Sequence, residues 1–183
     1  MEYFTIAQKL NIPNTAELLI KADSPVEPRA EFLKDQSKKI KKVTTINVIA
    51  NDISFFPAVF DKPVFLMSTD LRKVVKMHDD STIWKNVTLA NKGNQKYHTY
   101  WMPLLDKIPC LSDKTEFYPD KSLKRMVLDP KKIGNSKIFR IGSIRQKIVV
   151  VNLDIAESIL RRFINGVRLE RVQCEGDEDI CQM

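Results

Sequence analysis

The residues able to do chemistry in this chain are few, and their spacing is sparse. There are two histidines, His78 and His98, and three cysteines, Cys110, Cys174 and Cys181. His78 precedes Asp79 and Asp80, so an acid–base pair or a weak metal site is one reading of that cluster. The plainer reading is helix-end electrostatics, a histidine near the negative end of the helix dipole with acids beside it. His98 falls in an aromatic run and reads as a packed or edge residue. Cys110 with a histidine would make a nucleophilic pair, but nothing local supports one. Six residues separate Cys174 from Cys181 and no histidine is near, which argues against zinc. An odd cysteine count with no secretory signal in view fits free thiols in a reducing compartment. The glycine-rich phosphate loops, HExxH and GxSxG are all absent from the sequence.

Charge offers a second kind of site. The chain carries a formal net charge of +7, with a dense run at Lys34, Lys38, Lys39, Lys41 and Lys42. Such a balance favours acidic partners through long-range attraction. No aromatic residue for stacking bases lies between these lysines, which argues against a nucleic-acid groove and for a solvated loop. The opposite sign gathers at Glu175, Asp177, Glu178 and Asp179, and residues 174–183 read as an acidic flexible tail. Trp84, at the junction of a loop and a strand, and Tyr118, beside a loop, are candidate interface anchors, because aromatics are enriched in binding hot spots.

The elements that must position these residues follow from periodicity. Residues 3–8 and 43–50 have strand composition, and the proline-bearing stretch 13–42 reads as connection with one helical turn around Ala16–Ile20. Residues 53–60, broken by Pro57, fit an irregular buried segment as well as a strand. Val64–Met67 is a short apolar strand. Ser68 then caps a helix with Asp70 in its first turn, and Leu71, Val74, Val75 and His78 share one face. Asp79-Asp80-Ser81 ends it, and Val87 and Leu89 alternate with polar neighbours in a following strand. The last third repeats this plan. Lys147–Val151 is a strand, Asn152 a cap, and Asp154 a first-turn acid. Ile155, Ile159, Leu160 and Phe163 form the stripe, Asn165-Gly166 the stop, and Val167–Val172 the final strand. Between the two units, Tyr97–Leu105 carries large side chains on both faces, as a central strand would. Leu123–Leu128 is a further strand, and Ile138–Ile141 forms a hairpin with Lys147–Val151. The sum is an α+β fold, mostly antiparallel sheet with a few short helices and two similar strand–helix–strand units.

With 183 residues, 43% hydrophobic and 29% charged, the chain has enough material for one domain, 1–173, and is expected to bury roughly 70% of its unfolded surface. No apolar run reaches the ~20 residues of a membrane span, and no signal peptide is visible at Met1–Phe4. These features predict a cytoplasmic protein with no membrane partner.

One resemblance adds to this. Leu123-Lys124-Arg125-Met126-Val127-Leu128-Asp129-Pro130-Lys131-Lys132-Ile133 leads into Lys137-Ile138-Phe139-Arg140-Ile141. Then follow Ile148-Val149-Val150-Val151-Asn152, the helix at Ile155–Ile164, and Asn165-Gly166-Val167-Arg168-Leu169. This order resembles the immunity proteins of bacterial polymorphic-toxin and contact-dependent inhibition systems, of the classes numbered eleven and forty-three. Lys62-Pro63-Val64-Phe65-Leu66-Met67-Ser68 with its helix is similar to the same family. The similarity covers residues 60–173. It implies a cytoplasmic antidote, monomeric before it meets its target, that binds and blocks the C-terminal domain of a cognate toxin. It carries over no catalytic, cofactor-binding or metal-ligating residue. A +7 chain would be repelled by a strongly basic nuclease, so an acidic or near-neutral toxin is expected. The acidic candidates for contact with any basic region are Asp79, Asp80 and the Glu175–Asp179 tail, with Trp84 and Tyr118 as anchors. The alternative is a basic nucleic-acid-binding module.

Overall fold

Alternating and β-branched segments build two six-stranded sheets, and two capped helices pack where the sheets meet. The structure, a computed structural model, describes residues 1–20, 43–91, 93 and 95–177. The lysine run at 34–42, Glu178, Asp179 and Cys181 lie outside the described residues.

The first sheet is centred on the first strand of the chain, β1 (Tyr3–Gln8). β13 (Val149–Asn152) and β14 (Val167–Cys174) flank it, each antiparallel to it. β12 (Ile138–Ile141) adds to β13 in the expected hairpin, and β8 (Lys107–Ile108) and β11 (Val127–Leu128) pair in parallel at the two edges. α3 (Leu153–Arg161) connects β13 to β14 across β1. The second sheet runs from β2 (Glu17–Leu19) through β3 (Val43–Ile49), β6 (Ile83–Asn91), β7 (Lys96–Leu104) and β5 (Leu66–Ser68) to β4 (Val59–Phe60). Here β5 and β6 flank β7, each antiparallel to it, and α1 (Thr69–His78) connects them. β9 (Glu116–Phe117) and β10 (Leu123–Arg125) form a separate small hairpin, and α2 (Pro130–Ile133) is a single turn capped by Asp129.

Three apolar cores result. α1 and α3 share the central one with both sheets, through Leu71, Val74, Val75, Ile155, Ala156 and Ile159 against Ile6, Met67, Val149 and Val151. The opposite face of each sheet encloses its own cluster, around Leu89, Tyr100 and Met102 in one and Tyr3, Phe139 and Val150 in the other. Both helix caps are as expected. The Ser68 side chain accepts from the Leu71 N–H at 3.3 Å, and that of Asn152 from the Ile155 N–H at 3.2 Å. β7 is central, as its two-faced large side chains require.

Several expectations are corrected. The helical turn at Ala16–Ile20 is instead β2, because antiparallel pairing with β3 supplies its backbone hydrogen bonds. The strand at Leu123–Leu128 divides into β10 and β11, which bond to different partners. The strands expected at Val64–Met67 and Lys147–Val151 begin two residues later than expected, at Leu66 and Val149. β14 extends through Cys174, past the boundary at residue 173. The largest correction is at the end of α3. Leu160 and Phe163 are exposed, not buried, at 64% and 85%.

That end explains itself in the backbone. Phe163 has φ 50°, in the left-handed region. The Phe163 N–H bonds the Leu160 carbonyl at 3.1 Å, and the Ile164 N–H bonds the Ile159 carbonyl at 3.4 Å. This is a Schellman stop, with Ile164 folded back onto the central core and phenylalanine where glycine usually stands. Gly166, expected as the stop, also has positive φ, 79°, but it serves the turn into β14. A Cβ there would lie 2.7 Å from Pro57, so this second turn needs glycine for close approach as well.

Candidate functional site

The α1–β6 turn shows how backbone demand uses up a carboxylate. Asp79 is the residue just past α1, and its N–H bonds the Val75 carbonyl. Its carboxylate accepts from the Ser81 N–H at 2.9 Å, the Ser81 hydroxyl at 2.7 Å and the Thr82 hydroxyl at 2.6 Å. Asp79 therefore organises the turn, while Asp80 stands exposed beside it. Both line a polar hollow of about 410 Å³ with His78, Asp106 and Lys137. His78 Nε2 lies 2.8 Å from the Ser158 hydroxyl, tying α1 to α3. Among the described residues, no cluster of three His, Cys, Asp or Glu side chains has the arrangement of a metal site.

Trp84 is half-buried on the flank of the central core. The Arg72 guanidinium stacks 3.6 Å from the ring centre of Trp101 and stands 5.8 Å from that of Trp84. The Trp101 indole N–H donates to the Thr69 hydroxyl. These residues fix α1 onto the sheet.

Tyr118 is 51% exposed at the tip of the β9–β10 hairpin, where its N–H bonds the Ser122 carbonyl. In that hairpin the Lys124 ammonium, hydrogen-bonded at 2.7 Å, holds the Glu116 carboxyl below its ordinary pKa. The Arg125 guanidinium donates to Gln173 Oε1, which joins the hairpin to the end of β14. Glu175 and Asp177 follow that strand. The Glu175 N–H bonds the Leu128 carbonyl, and the Asp177 carboxylate accepts from the Cys174 N–H at 3.1 Å and sits 3.8 Å from Arg171. The residues picked from sequence thus do not form one site. Glu175 and Asp177 follow β14 beside β11, Tyr118 stands at the tip of the β9–β10 hairpin, and Asp79, Asp80 and Trp84 lie along the α1–β6 connection.

Among the described residues, both cysteines are buried. Cys110 is fully buried in the first sheet's own core, and burial raises its thiol pKa to about 11. Burial, then the Asp177 carboxylate, raises that of Cys174 as well. His98 belongs to the other sheet. It stacks on Phe56 with ring centres 3.7 Å apart, and burial, then Lys96, lowers its pKa. No arrangement pairs it with Cys110.

One surface feature has no counterpart in the sequence reading. Beside α1 lies an open groove of about 740 Å³, bounded by Phe55 and Phe56, by Lys73 and Met77 of α1, and by the Arg162–Asn165 turn. Met77 is 56% exposed there, and Arg162 Nη2 approaches its sulfur at 3.7 Å. The Arg161-Arg162 pair in the sequence was the one local sign that α3 ends before Phe163. Comparison with known proteins finds no family model that matches this chain and no similar curated relative.

Proposed function

We propose that this chain is an immunity protein that neutralises a cognate bacterial toxin domain by covering its active site or an essential surface. It acts in the cytoplasm, as a monomer before it meets the toxin, and performs no chemistry of its own. The observation that carries this reading is the placement of large aromatic side chains in solvent on well-held turns, Tyr118 on a hydrogen-bonded hairpin and Phe163 on a helix stop. Interfaces draw most of their energy from a few anchors of this kind, held rigid before binding. The protonated, buried thiols support a binding role over nucleophilic catalysis. The resemblance of residues 60–173 to the immunity family supports it from the sequence side.

The likeness of the two strand–helix–strand units belongs to the same proposal. In each, a capped helix joins two strands that flank a third, antiparallel strand, and the two helices pack on each other. We take them as related halves that together form one rigid scaffold.

An antidote must hold its target at low concentration, which asks for nanomolar binding, about −12 kcal/mol. An interface of roughly 1,600 Å² with a few buried anchors supplies that. The test is co-expression with the toxin domain encoded beside this chain. Protection of the host with nanomolar binding is the expected result. Failure of the wild type to bind that domain at micromolar concentration overturns the reading. The nucleic-acid alternative predicts retention on heparin that weakens steeply with salt, because phosphate contacts release counterions.

A further inference from the structure

Phe163 stands at odds with ordinary folding logic. A Schellman stop asks for glycine at this position, because a side chain in the left-handed region crowds the backbone. Here the position carries a phenylalanine that gains almost no burial, being 85% exposed. Its backbone is nonetheless fixed, by the Leu160 and Ile159 carbonyls on one side and by Ile164 in the core on the other. Strain that the surrounding structure over-determines, at a residue that gains nothing from it, points to a use outside the folded monomer.

The neighbours of Phe163 indicate what that use is. The ring stands at one rim of the groove, with Met77 on α1 and Phe55 from the loop before β4 also lining it. Arg162 crosses between the helices to reach the Met77 sulfur, and its other terminal nitrogen bonds the Ser158 carbonyl. Among the described residues, no carboxylate lies in ion-pair range of Arg162. Lys73 is offset by Asp70 at 3.2 Å, and both are largely exposed. Asp70 lines the groove as well, so its walls mix the apolar Phe55, Phe56, Met77 and Phe163 with polar side chains, and Arg162 is the positive charge at its lip that Asp70 does not offset, in a chain of net charge +7.

We propose that this groove is the docking site for an acidic segment of a partner protein. A large apolar side chain of the partner sits between Phe163 and Met77, and a neighbouring carboxylate pairs with Arg162. The proposal rests on the immunity reading and identifies the face that the toxin meets. Apolar anchors give the affinity, and the positive lip steers encounter and sets register.

Phe163→Gly and Phe163→Asn are the decisive variants, since both residues tolerate the left-handed backbone and both remove the ring. Calorimetric titration with the catalytically silenced toxin domain encoded beside this chain is the probe. The expected result is binding at least about thirtyfold weaker for both variants, with melting temperatures equal to or above wild type. Arg162→Glu is expected to slow association and flatten its salt dependence. Wild-type binding that survives unchanged in both Phe163 variants overturns the groove while leaving the immunity reading intact. Absence of wild-type binding overturns both. A concentration-dependent dimer of the free chain that Phe163→Gly abolishes also overturns the proposal, because the occupant is then a second copy.

Discussion

At the scale of single residues, two side chains sit in opposite kinds of tension with their surroundings. Phe163 holds a backbone conformation that costs an L-residue about 1–2 kcal/mol and that glycine adopts freely. Glycine gives back part of this through a more flexible unfolded chain. Phe163→Gly should therefore gain about 0.5–1 kcal/mol, seen as a rise of roughly 1–4 °C in melting temperature. A fall of that size would mean that the ring contributes packing its exposure does not reveal. Cys110 is the converse case, comfortable in its core only while neutral. Its ordinary pKa near 9 is raised to about 11 in the folded chain. The unfolded thiol thus releases its proton first as pH rises. The contribution of Cys110 to stability is whole below pH 9 and declines between about 9 and 11. Urea unfolding across that range should lose stability less steeply for Cys110→Ala than for wild type. At neutral pH the folded protein should leave Cys110 unmodified by iodoacetamide.

At the scale of elements, the two helices show what sequence patterning can and cannot convey. Ile159, 2% exposed, and Leu160, 64% exposed, are neighbours on opposite sides of the boundary between core and solvent. Ile159→Ala should cost about 2–5 kcal/mol by cavity formation, and Leu160→Ala less than ~0.5. Equal losses in chemical denaturation would show the α3 face to be misassigned. Asn152→Ala should cost about 1 kcal/mol by stranding the buried Ile155 N–H. The starts of both helices were legible because capping is local: a hydroxyl or amide, a first-turn acid, then an apolar stripe. The end of α3 was not. Its stripe continues in apolar residues through Phe163, and apart from the Arg161-Arg162 pair nothing in the sequence distinguishes a left-handed phenylalanine from a helical one. β2 escaped for another reason, since only its distant partner β3 makes it a strand. The groove was illegible on the same ground. Residues 55–56, 73–77 and 162–165 are unrelated in sequence, and they meet only through the packing of α1 on α3 and the hydrogen bond from the Ala58 N–H to the Asn165 carbonyl. The acidic candidates were easy to see as charges, yet Asp79 and Asp177 turn out to accept backbone N–H groups, a role that composition does not disclose.

At the scale of the whole molecule, the central core belongs to both sheets at once through α1 and α3. Damage there should lower one cooperative transition, with no separate melting of either sheet. The order of assembly is a different matter. The second sheet closes within residues 17–104, whereas β1 needs β13 and β14, which begin at Val149. Pulse-labelled hydrogen exchange during refolding should protect β6 and β7 before β1, since distant pairings form late. The reverse order would argue that β1 nucleates the fold. On the ribosome the same topology becomes a delay. At about 5–20 residues per second, the Tyr3–Gln8 segment waits on the order of ten seconds for its first partner strand. Throughout that interval it is an unpaired, half-apolar strand of a growing chain, the form most open to chaperones and to the wrong neighbour.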